Sequence, residues 1–279
     1  MLFRSRSAAF RNDKVLQENI IIHAVKSGSK PDGVIISSST GKPRSRITAR
    51  QVSYSDVVSP NDPSQFIHLV VDDSHSHARS AMSRLAATLP DMGLSVSTGR
   101  VVDFRAKPFL RQVPGDKTVP LIHPCHFNGG FVSWPKDGSR KPNAIVCDEL
   151  THDLLVPSDV YVLVKRFTAK EERRRVVACI YDPAAVPSTF VGFENHLNYF
   201  HLDGRGLPMS LAKGLAAFLN STLVDVYFRQ FSGHTQVNAT DLRALRYPPR
   251  AALERLGHRI DDPTMNQKDV DSLVEQELF

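Results

Sequence analysis

Apolar residues recur at helical spacing through the last third of the chain, on either side of a short polar break. Two helices separated at Asn220–Thr222 are predicted by this stripe, whose members are Leu211, Leu215, Phe218, Leu219, Leu223, Val226, Tyr227 and Phe231. Pro208 and Ser210 are typical of a helix start and Gly233 of a helix end. The polar segment 232–238 then leads into a short helix over Ala239–Leu245, which Asn238 or Thr240 can cap and which Pro248 and Pro249 terminate.

Strand-like patterns occupy most of the rest of the chain. Short apolar or alternating runs predict strands at Asn19–Val25, Val34–Ser39, Ile47–Tyr54, Phe66–Val71, Val160–Phe167, Arg173–Tyr181 and Phe193–Leu202. Because the last three are joined by short connections, we expect them to form an antiparallel meander. Two more helices are predicted, one over Ser76–Leu89 and an acidic one near the C-terminus with Val270, Leu273, Val274 and Leu278 on one side. The fold class is therefore mixed α/β, with an antiparallel sheet against a helical hairpin.

Residues 105–143 interrupt this pattern with six prolines and the Gly129–Gly130 pair, and predict a long irregular stretch. Such stretches are usually functional or disordered. Trp134 lies within it, and two interpretations stay open: packing against the core, or stacking near a nucleic acid.

Composition narrows the classes of function. A chain of 279 residues that is 41% hydrophobic can bury a substantial core. Its apolar runs are far shorter than a membrane span, and its first residues lack the apolar region of a signal peptide. Three widely separated cysteines favour a reducing, cytoplasmic setting. The formal net charge of +6 favours a polyanionic partner only mildly.

Polar and basic clusters supply the candidate binding residues. Donors and acceptors suited to base edges and phosphates are concentrated in the loop after the helical hairpin, at Ser232, His234, Thr235 and Gln236. A second group, Ser97, Thr98 and Arg100, lies around the predicted turn at Thr98–Gly99. We interpret the neighbouring Val101, Val102 and Phe104 as core residues. Five cations flank one predicted hairpin, at Lys165, Arg166, Arg173, Arg174 and Arg175. The alternatives are a surface loop for the first group and a solvated sheet edge for the cations. For the basic run 37–46, a solvated loop and a phosphate-tracking strand between domains both stay open.

Three stretches carry a resemblance to a known family. They read FRSRSAAFRNDKVLQENII from residue 3, STGRVVDFR from residue 97 and FLNSTLVDVYFRQFSGHTQVNATDLRALRYP from residue 218. Together they resemble gamma-class adenine-specific DNA methyltransferases of restriction–modification systems. In that family the first stretch lies near the end of the catalytic domain and the other two lie in the target-recognition region. The resemblance implies the end of a catalytic domain in residues 1–36, a recognition domain in 37–262 and a C-terminal helix in 263–279.

The resemblance also implies a role and partners. It implies sequence-selective binding of double-stranded DNA for adenine-N6 methylation, with S-adenosylmethionine as cofactor of the complete enzyme. Phe10, with Asn12 and Asn19 near it, would stack on the adenine that such enzymes rotate out of the duplex; the alternative is a core role for Phe10. The implied partners are double-stranded DNA and, where the catalytic domain is a separate chain, that catalytic methyltransferase chain. Two other roles stay open, namely a stand-alone DNA specificity subunit with no catalytic partner of its own and an inactive truncated methyltransferase.

The chemistry of methyl transfer needs motifs that this sequence does not show. Asp203–Gly206 contains Gly-x-Gly, but Met209 stands where a third glycine is required, and Tyr247–Arg250 has its Pro-Pro pair in the reversed order. We therefore expect this chain neither to bind S-adenosylmethionine nor to transfer a methyl group alone. The dense run His123–His126 lacks a second pair at zinc-ligand spacing, so we also expect no metal site. A metal-dependent nuclease would need an acid and a Glu-x-Lys sequence on adjacent strands, and Asp159 and Lys165 on one strand supply only half of this motif. No membrane partner is expected.

Overall fold

The computed structural model describes residues 2–3, 19–26, 29–39, 44, 46–60, 62, 65–168, 172–233, 235–260 and 266–279. The chain divides into two compact units. Unit 1 comprises Met1–Ser83 and Val226–Thr235, and unit 2 comprises Arg84–Asp225 and Gln236–Phe279. The mixed α/β class predicted from the sequence is confirmed, whereas the division into three domains stays a prediction.

Within its described residues, unit 1 has a four-stranded sheet, two helices before residue 84 and the helical residues 226–231. The strand order is β2-β1-β3-β4, and β3 pairs antiparallel with β4. Val52, Val57 and Val70 form its buried core. Asp72 accepts a hydrogen bond from the N–H of His75 (3.0 Å), which explains why the second helix starts earlier than residue 76. The elements are β1 (Leu2–Phe3), β2 (Asn19–Ile20), β3 (Gly33–Ser39), β4 (Thr48–Ser53), α1 (Tyr54–Val57) and α2 (Asp73–Ser83).

Two strand predictions in unit 1 are wrong in extent. The run Asn19–Val25 contains only the two-residue strand β2, and Ile20, Ile22 and Val25 are exposed. The run Phe66–Val71 makes a single isolated bridge, Val58 with Ile67. The rings of Phe66 and His68 instead pack against Phe231 and Tyr227, at centroid distances of 5.0 and 5.3 Å, so side-chain packing replaces strand pairing.

Unit 2 contains two sheets. The five-stranded sheet has the order β11-β14-β7-β10-β6, and the six-stranded sheet has the order β5-β15-β12-β13-β9-β8. Their elements are β5 (Ser95–Thr98), α3 (Asp103–Ala106), β6 (Leu110–Arg111), β7 (Thr118–Ile122), β8 (Phe127–Asn128), β9 (Phe131–Val132), β10 (Ala144–Val146), β11 (Leu155–Pro157), β12 (Tyr161–Lys165), β13 (Ala178–Tyr181), β14 (Phe190–Phe193) and β15 (Leu197–His201).

The sheets of unit 2 correct two expectations. The stretch 105–143 is not irregular throughout, because it supplies β7, the central strand of the five-stranded sheet. The sequence pattern did not predict β7 because the strand contains Pro120. The hairpin β12–β13 is antiparallel as predicted, but β15 pairs with the other edge of β12, so the three strands form no meander. Trp134 packs against the aromatic core around Tyr161, and its Nε1 donates to the Asn143 carbonyl at 2.6 Å, which confirms the core interpretation.

The helices confirm the predicted break and the cap that follows it. The break at Asn220 separates the first two helices as expected, and Asn238 is the N-cap of the third. Val270, Leu273, Val274 and Leu278 of the last helix pack into the core as predicted. The helix over Arg250–His258 was not predicted from the sequence. The bounds are α4 (Met209–Leu219), α5 (Thr222–Phe231), α6 (Ala239–Ala244), α7 (Arg250–His258) and α8 (Gln267–Leu278).

Helices α4 and α7 approach each other so closely that only glycine fits at their contact. A Cβ added at Gly214 would lie 1.8 Å from the Leu253 carbonyl oxygen, and one added at Gly257 would lie 1.7 Å from that of Ser210. This contact holds the helical layer of unit 2 together. None of the helices in the described part of the chain is both long enough and apolar enough to cross a bilayer.

Candidate nucleic-acid interface

One end of the six-stranded sheet gathers most of the candidate binding residues of unit 2. Strand pairing sets Thr98 opposite Asn198, Lys165 opposite Leu197 and Val164 opposite Ala178, so the end of β5, the start of β15, the end of β12 and the start of β13 coincide. Three segments far apart in sequence therefore meet. We call this end of the sheet the polar end, defined by Thr98, Arg100, Lys165, Arg166, Arg173, Arg174, Arg175, Asn198 and Gln236.

A chain of hydrogen bonds fixes the loop segment after α5 to the polar end. The hydroxyl of Thr98 donates to Asn198 Oδ1 (3.1 Å), and Asn198 Nδ2 donates to the Val237 carbonyl (2.7 Å). The N–H of Val237 donates to the Arg166 carbonyl (2.7 Å), beside a bridge between Phe167 and Gln236. Asn198 is fully buried, and a buried amide needs such partners. Gln236 is therefore held on a rigid support.

Arg175 is a supporting residue of this network and does not share the exposure of its neighbours. Its side chain is buried, with Nε donating to Thr168 Oγ1 (3.3 Å) and Nη2 to the Gln236 carbonyl (3.4 Å). Arg173 is exposed and Arg174 is half-buried. Burial, and then the charge of Arg173, lowers the pKa of Arg174. The grouping of the three arginines as one exposed cluster is thus corrected.

Two further cations of the polar end, Lys165 and Arg166, lie against aromatic rings. Lys165 Nζ is 5.7 Å from the Phe127 ring centroid, and the Arg166 guanidinium is 5.7 Å from that of Phe167. Phe167 is 42% exposed and its ring lies 4.8 Å from that of His196. An exposed ring beside a guanidinium can stack on a base while the cation meets a phosphate. Sequence reasoning missed Phe167, although it directly follows two cations at a strand end, and missed Asn198, a polar residue inside an apolar strand.

The residues around Gly99 divide into buried and exposed groups. His201 Nδ1 accepts from the Gly204 N–H (3.0 Å), so its Nε2 carries the proton and donates to Ser97 Oγ (2.9 Å). Burial, and then the charge of Arg100, lowers the pKa of His201, which agrees with a neutral ring. Arg100 is exposed, and its Nη1 donates to the carbonyls of Asp153 and Leu155, both at 3.3 Å.

Phe104 does not lie in the core that the sequence predicted for it. Its side chain is 76% exposed, and the guanidinium of Arg105 lies 5.5 Å from its ring centroid. Val101, by contrast, is fully buried as expected. The difference arises because α3 starts directly after Val102, so the alternation of a strand does not continue to residue 104.

Of the remaining candidates, Ser232 and Thr235 lie in unit 1, and Phe10 and His234 lie outside the residues that the structure describes. In unit 1, Ser232 is buried and its N–H donates to the Phe228 carbonyl (3.0 Å), whereas Thr235 is exposed. Phe10 and His234 lie outside the described residues, so their roles stay predictions. Asn238 belongs to the cap of α6, where its N–H donates to Asp241 Oδ2 (2.8 Å).

The two sequence features nearest to cofactor motifs do not fit S-adenosylmethionine. In the Gly-x-Gly turn, the Gly206 N–H donates to Asp159 Oδ2 (3.0 Å), and a Cβ at Gly206 would lie 2.4 Å from Asp159 Cγ, so protein groups already fill the turn. Beside the Pro-Pro pair, Tyr247 is fully buried and its hydroxyl donates to the Leu242 carbonyl (2.7 Å). Both features are packing elements.

His126 has the partners of a structural histidine. Its Nδ1 accepts from the His123 N–H (2.9 Å), so its Nε2 donates to Asn143 Oδ1 (2.9 Å). Both ring nitrogens are therefore engaged, and His126 has none left for a metal ion. The side chain of His123 faces two carboxylates instead.

Comparison with known proteins gives relatives of one kind. The chain is 46% identical over 277 residues to the type II methyltransferase M.PstI of Providencia stuartii, covering 99% of this chain and 55% of that protein. It is 43% identical over 280 residues to the type II methyltransferase M.BsuBI of Bacillus subtilis, covering 100% of this chain and 55% of that protein.

Two other comparisons contribute little. No family model matches the chain. A likeness to the type IIG restriction endonuclease BpuSI covers 84% of this chain and 36% of that one at a TM-score of 0.42 and 12% identity, which is too weak to support an argument. The two sequence relatives are enough to show that the chain is related to type II DNA methyltransferases of restriction–modification systems and spans about half of their length.

Proposed function

We propose that this chain is the DNA-recognition part of a site-specific adenine-N6 DNA methyltransferase. The observation that carries the proposal is the polar end of the six-stranded sheet, in a chain related along its whole length to type II methyltransferases. Cations and hydrogen-bonding side chains from three distant segments meet there on a rigid support. An arrangement of this kind suits a duplex, whose phosphates supply affinity and whose base edges supply specificity.

Roles follow from exposure and support. Arg173, Arg174 and Arg100 reach solvent and would contact phosphates. Gln236, held by its backbone against Phe167, would present its side-chain amide to a base edge, where such an amide can pair bidentately with adenine. Arg175 and Asn198 would hold this loop in place without touching DNA.

The catalytic chemistry belongs to the complete enzyme in this proposal. S-adenosylmethionine would be bound by a catalytic part, either in the same polypeptide or in a separate chain, and Phe10 would stack on the target adenine. Exposed apolar side chains at Ile20, Ile22 and Val25 support an adjoining part, because exposed apolar groups commonly mark interaction sites. A cytoplasmic location belongs to the same proposal.

The salt dependence of DNA binding tests the proposal. Affinity for a duplex would be measured by fluorescence anisotropy across a series of salt concentrations. The double variant Arg173→Glu/Arg174→Glu should bind more weakly and should flatten the slope of log K against log salt by about 2, because each phosphate contact contributes roughly 0.9.

A matched charge reversal serves as the control. Lys117 is an exposed cation in the turn before β7, in the other sheet of unit 2. Lys117→Glu changes the net charge by the same amount per residue and should leave the slope within error of the parent chain. An unchanged slope in the double variant, or an equal change in Lys117→Glu, would reject the polar end as the DNA-binding surface.

A further inference from the structure

Three potential metal ligands from separate segments meet at the end of two parallel strands in unit 2. His123 directly follows β7 and Glu194 directly follows β14, and these strands pair in parallel with Ile122 opposite Phe193. The third residue, Asp103, is the first residue of α3. Ligand sites commonly lie beyond the carboxyl ends of parallel strands, because side chains from neighbouring strands converge there.

The imidazole of His123 lies between two carboxylates without a hydrogen bond to either. Its side chain is 0% exposed, with Nδ1 3.8 Å from Glu194 Oε2 and Nε2 3.9 Å from Asp103 Oδ1. Both distances are too long for hydrogen bonds. Within the described residues, neither ring nitrogen of His123 nor Oδ1 of Asp103 has a hydrogen-bond partner. Buried polar atoms without partners are rare and ask for an explanation.

The other carboxylate contacts hold the two acids in place. Lys141 Nζ donates to Asp103 Oδ2 (2.7 Å). Glu194 Oε1 contacts His196 Nδ1, and Glu194 Oε2 accepts from the His196 N–H (2.9 Å). Asp103 Oδ1 and Glu194 Oε2 thus remain directed toward His123. The His196 contacts are of the kind that orient a ligating carboxylate in metal sites, whereas the Lys141 ammonium neutralises the charge of Asp103.

We propose that Asp103, His123 and Glu194 bind one divalent transition-metal ion, Zn²⁺ or Mn²⁺, through one ring nitrogen and one oxygen from each carboxylate. One ligand atom from each residue lies within 4.8 Å of the others. Because metal–ligand bonds are about 2.0–2.2 Å long, two ligands of one ion can lie up to roughly 4 Å apart. The distances of 3.8 and 3.9 Å start from different ring nitrogens, so with a single nitrogen as ligand the three ligand atoms, which lie within 4.8 Å of one another, must close by roughly 1 Å around the ion.

The donor set and the state of the histidine suit such an ion. One imidazole and two carboxylates match zinc, and the carboxylates also suit manganese. Burial lowers the pKa of His123 to about 4, although the charge of Asp103 opposes this effect. The ring is then neutral at pH 7, as a metal ligand must be. The ion would tie the short helix α3 to the ends of β7 and β14.

Lys141 separates this proposal from a purely structural polar cluster. Its ammonium group already neutralises Asp103, and its side chain is about half exposed. If an ion binds, Lys141 competes with it for the carboxylate, so removing the ammonium should strengthen metal binding. If the cluster only balances charges internally, removing Lys141 should create no such gain.

The experiment titrates the full chain, stripped with a chelator, with Zn²⁺ and separately with Mn²⁺ by calorimetry, and measures metal content after dialysis. We expect one tight site per chain for at least one of the two ions. Asp103→Asn and Glu194→Gln should each weaken it tenfold or more, whereas Lys141→Gln should tighten it severalfold. Asp153→Asn alters an exposed carboxylate and serves as the matched control, with unchanged affinity.

Thermal unfolding supplies a readout that does not depend on stoichiometry. The metal should raise the Tm of the parent chain and of Asp153→Asn, because an ion that binds only the folded state stabilises it, and should not raise that of Asp103→Asn. Both acid variants are nearly isosteric, so circular dichroism should confirm that they fold. Failure of both ions to bind, or equal binding by Asp103→Asn and the parent chain, would overturn the proposal.

Discussion

Arg175 and His123 are both buried in unit 2, yet the protein surrounds them in opposite ways. Arg175 is 1% exposed, and its guanidinium donates to a threonine hydroxyl and a backbone carbonyl. The His123 side chain is 0% exposed, and both of its ring nitrogens are without a hydrogen bond in the described structure. Burial alone therefore does not distinguish a structural group from a binding group; the partners do.

The difference has a chemical basis. A guanidinium stays charged under all ordinary conditions, so burying it requires acceptors within reach. An imidazole can lose its proton and enter the interior neutral, which leaves it able to accept a ligand. Arg175 accordingly stabilises the fold through buried hydrogen bonds, while the ring nitrogens of His123 remain able to bind a ligand.

The largest effect is expected from Arg175→Ala. The substitution removes the donors to Thr168 and to the Gln236 carbonyl in a buried setting, and should lower the free energy of unfolding by about 3 kcal/mol. Urea denaturation followed by circular dichroism measures it. Arg173→Ala, at an exposed position, should change the same quantity by no more than about 0.5 kcal/mol. Equal losses of unfolding free energy in the two variants would show that Arg175 contributes no more to stability than an exposed arginine.

The next effect is a pH dependence from buried neutral histidines. Burial lowers the pKa of His123 to about 4, and burial with the charge of Arg79 does the same for His68 in unit 1. Between pH 6.5 and 4 the unfolded chain binds more protons, so stability should fall as pH falls, by more than about 1 kcal/mol per pH unit for each histidine.

Denaturant titrations in the presence of a chelator at pH 6.5, 5.5 and 4.5 give this slope. His123→Gln should reduce it while His68 continues to contribute in unit 1. A slope that survives His123→Gln unchanged would show that His123 is protonated in the folded chain, contrary to its buried setting.

A smaller effect is expected at Gln236. Its carbonyl and its bridge with Phe167 involve the backbone, which Gln236→Ala retains, so these contacts of the loop stay in place and the Tm should fall less than in Asp241→Ala. DNA affinity should fall, with a loss of base discrimination of roughly 1–3 kcal/mol if the amide pairs with a base. Asp241→Ala, which removes the acceptor for the Asn238 N–H, should instead cost about 1 kcal/mol of stability and spare DNA affinity. The reverse result would make the loop structural.

No effect at all is expected from S-adenosylmethionine. The Gly-x-Gly turn uses its amides internally, since the N–H groups of Gly204 and Gly206 donate to His201 and Asp159. Calorimetric titration of the chain with the cofactor should therefore give no binding heat above dilution, and DNA incubated with both should gain no methyl groups. Binding at micromolar affinity would contradict this expectation.

Sequence patterns succeeded where local chemistry decides the structure. The stripe of α4 and α5, the break at Asn220, the cap at Asn238 and the apolar side of α8 all follow from spacing and capping rules that act within a few residues. The relation to DNA methyltransferases was also legible in short motifs. These features need no knowledge of distant contacts.

Only the tertiary structure decided which polar residues are buried and hydrogen-bonded to the protein and which are exposed to solvent. Arg173, Arg174 and Arg175 are identical in sequence terms, and their different burial depends on Thr168 and Gln236, which reach Arg175 through the fold. His123, Asp103 and Glu194 likewise meet because β7 and β14 pair in parallel, which no local pattern reveals. The sequence by itself determined the helices α4, α5, α6 and α8, the strands β12 and β13 and the relation to DNA methyltransferases. The fold decided the polar end and the carboxylate–histidine cluster, because long-range strand pairing sets which distant side chains become neighbours.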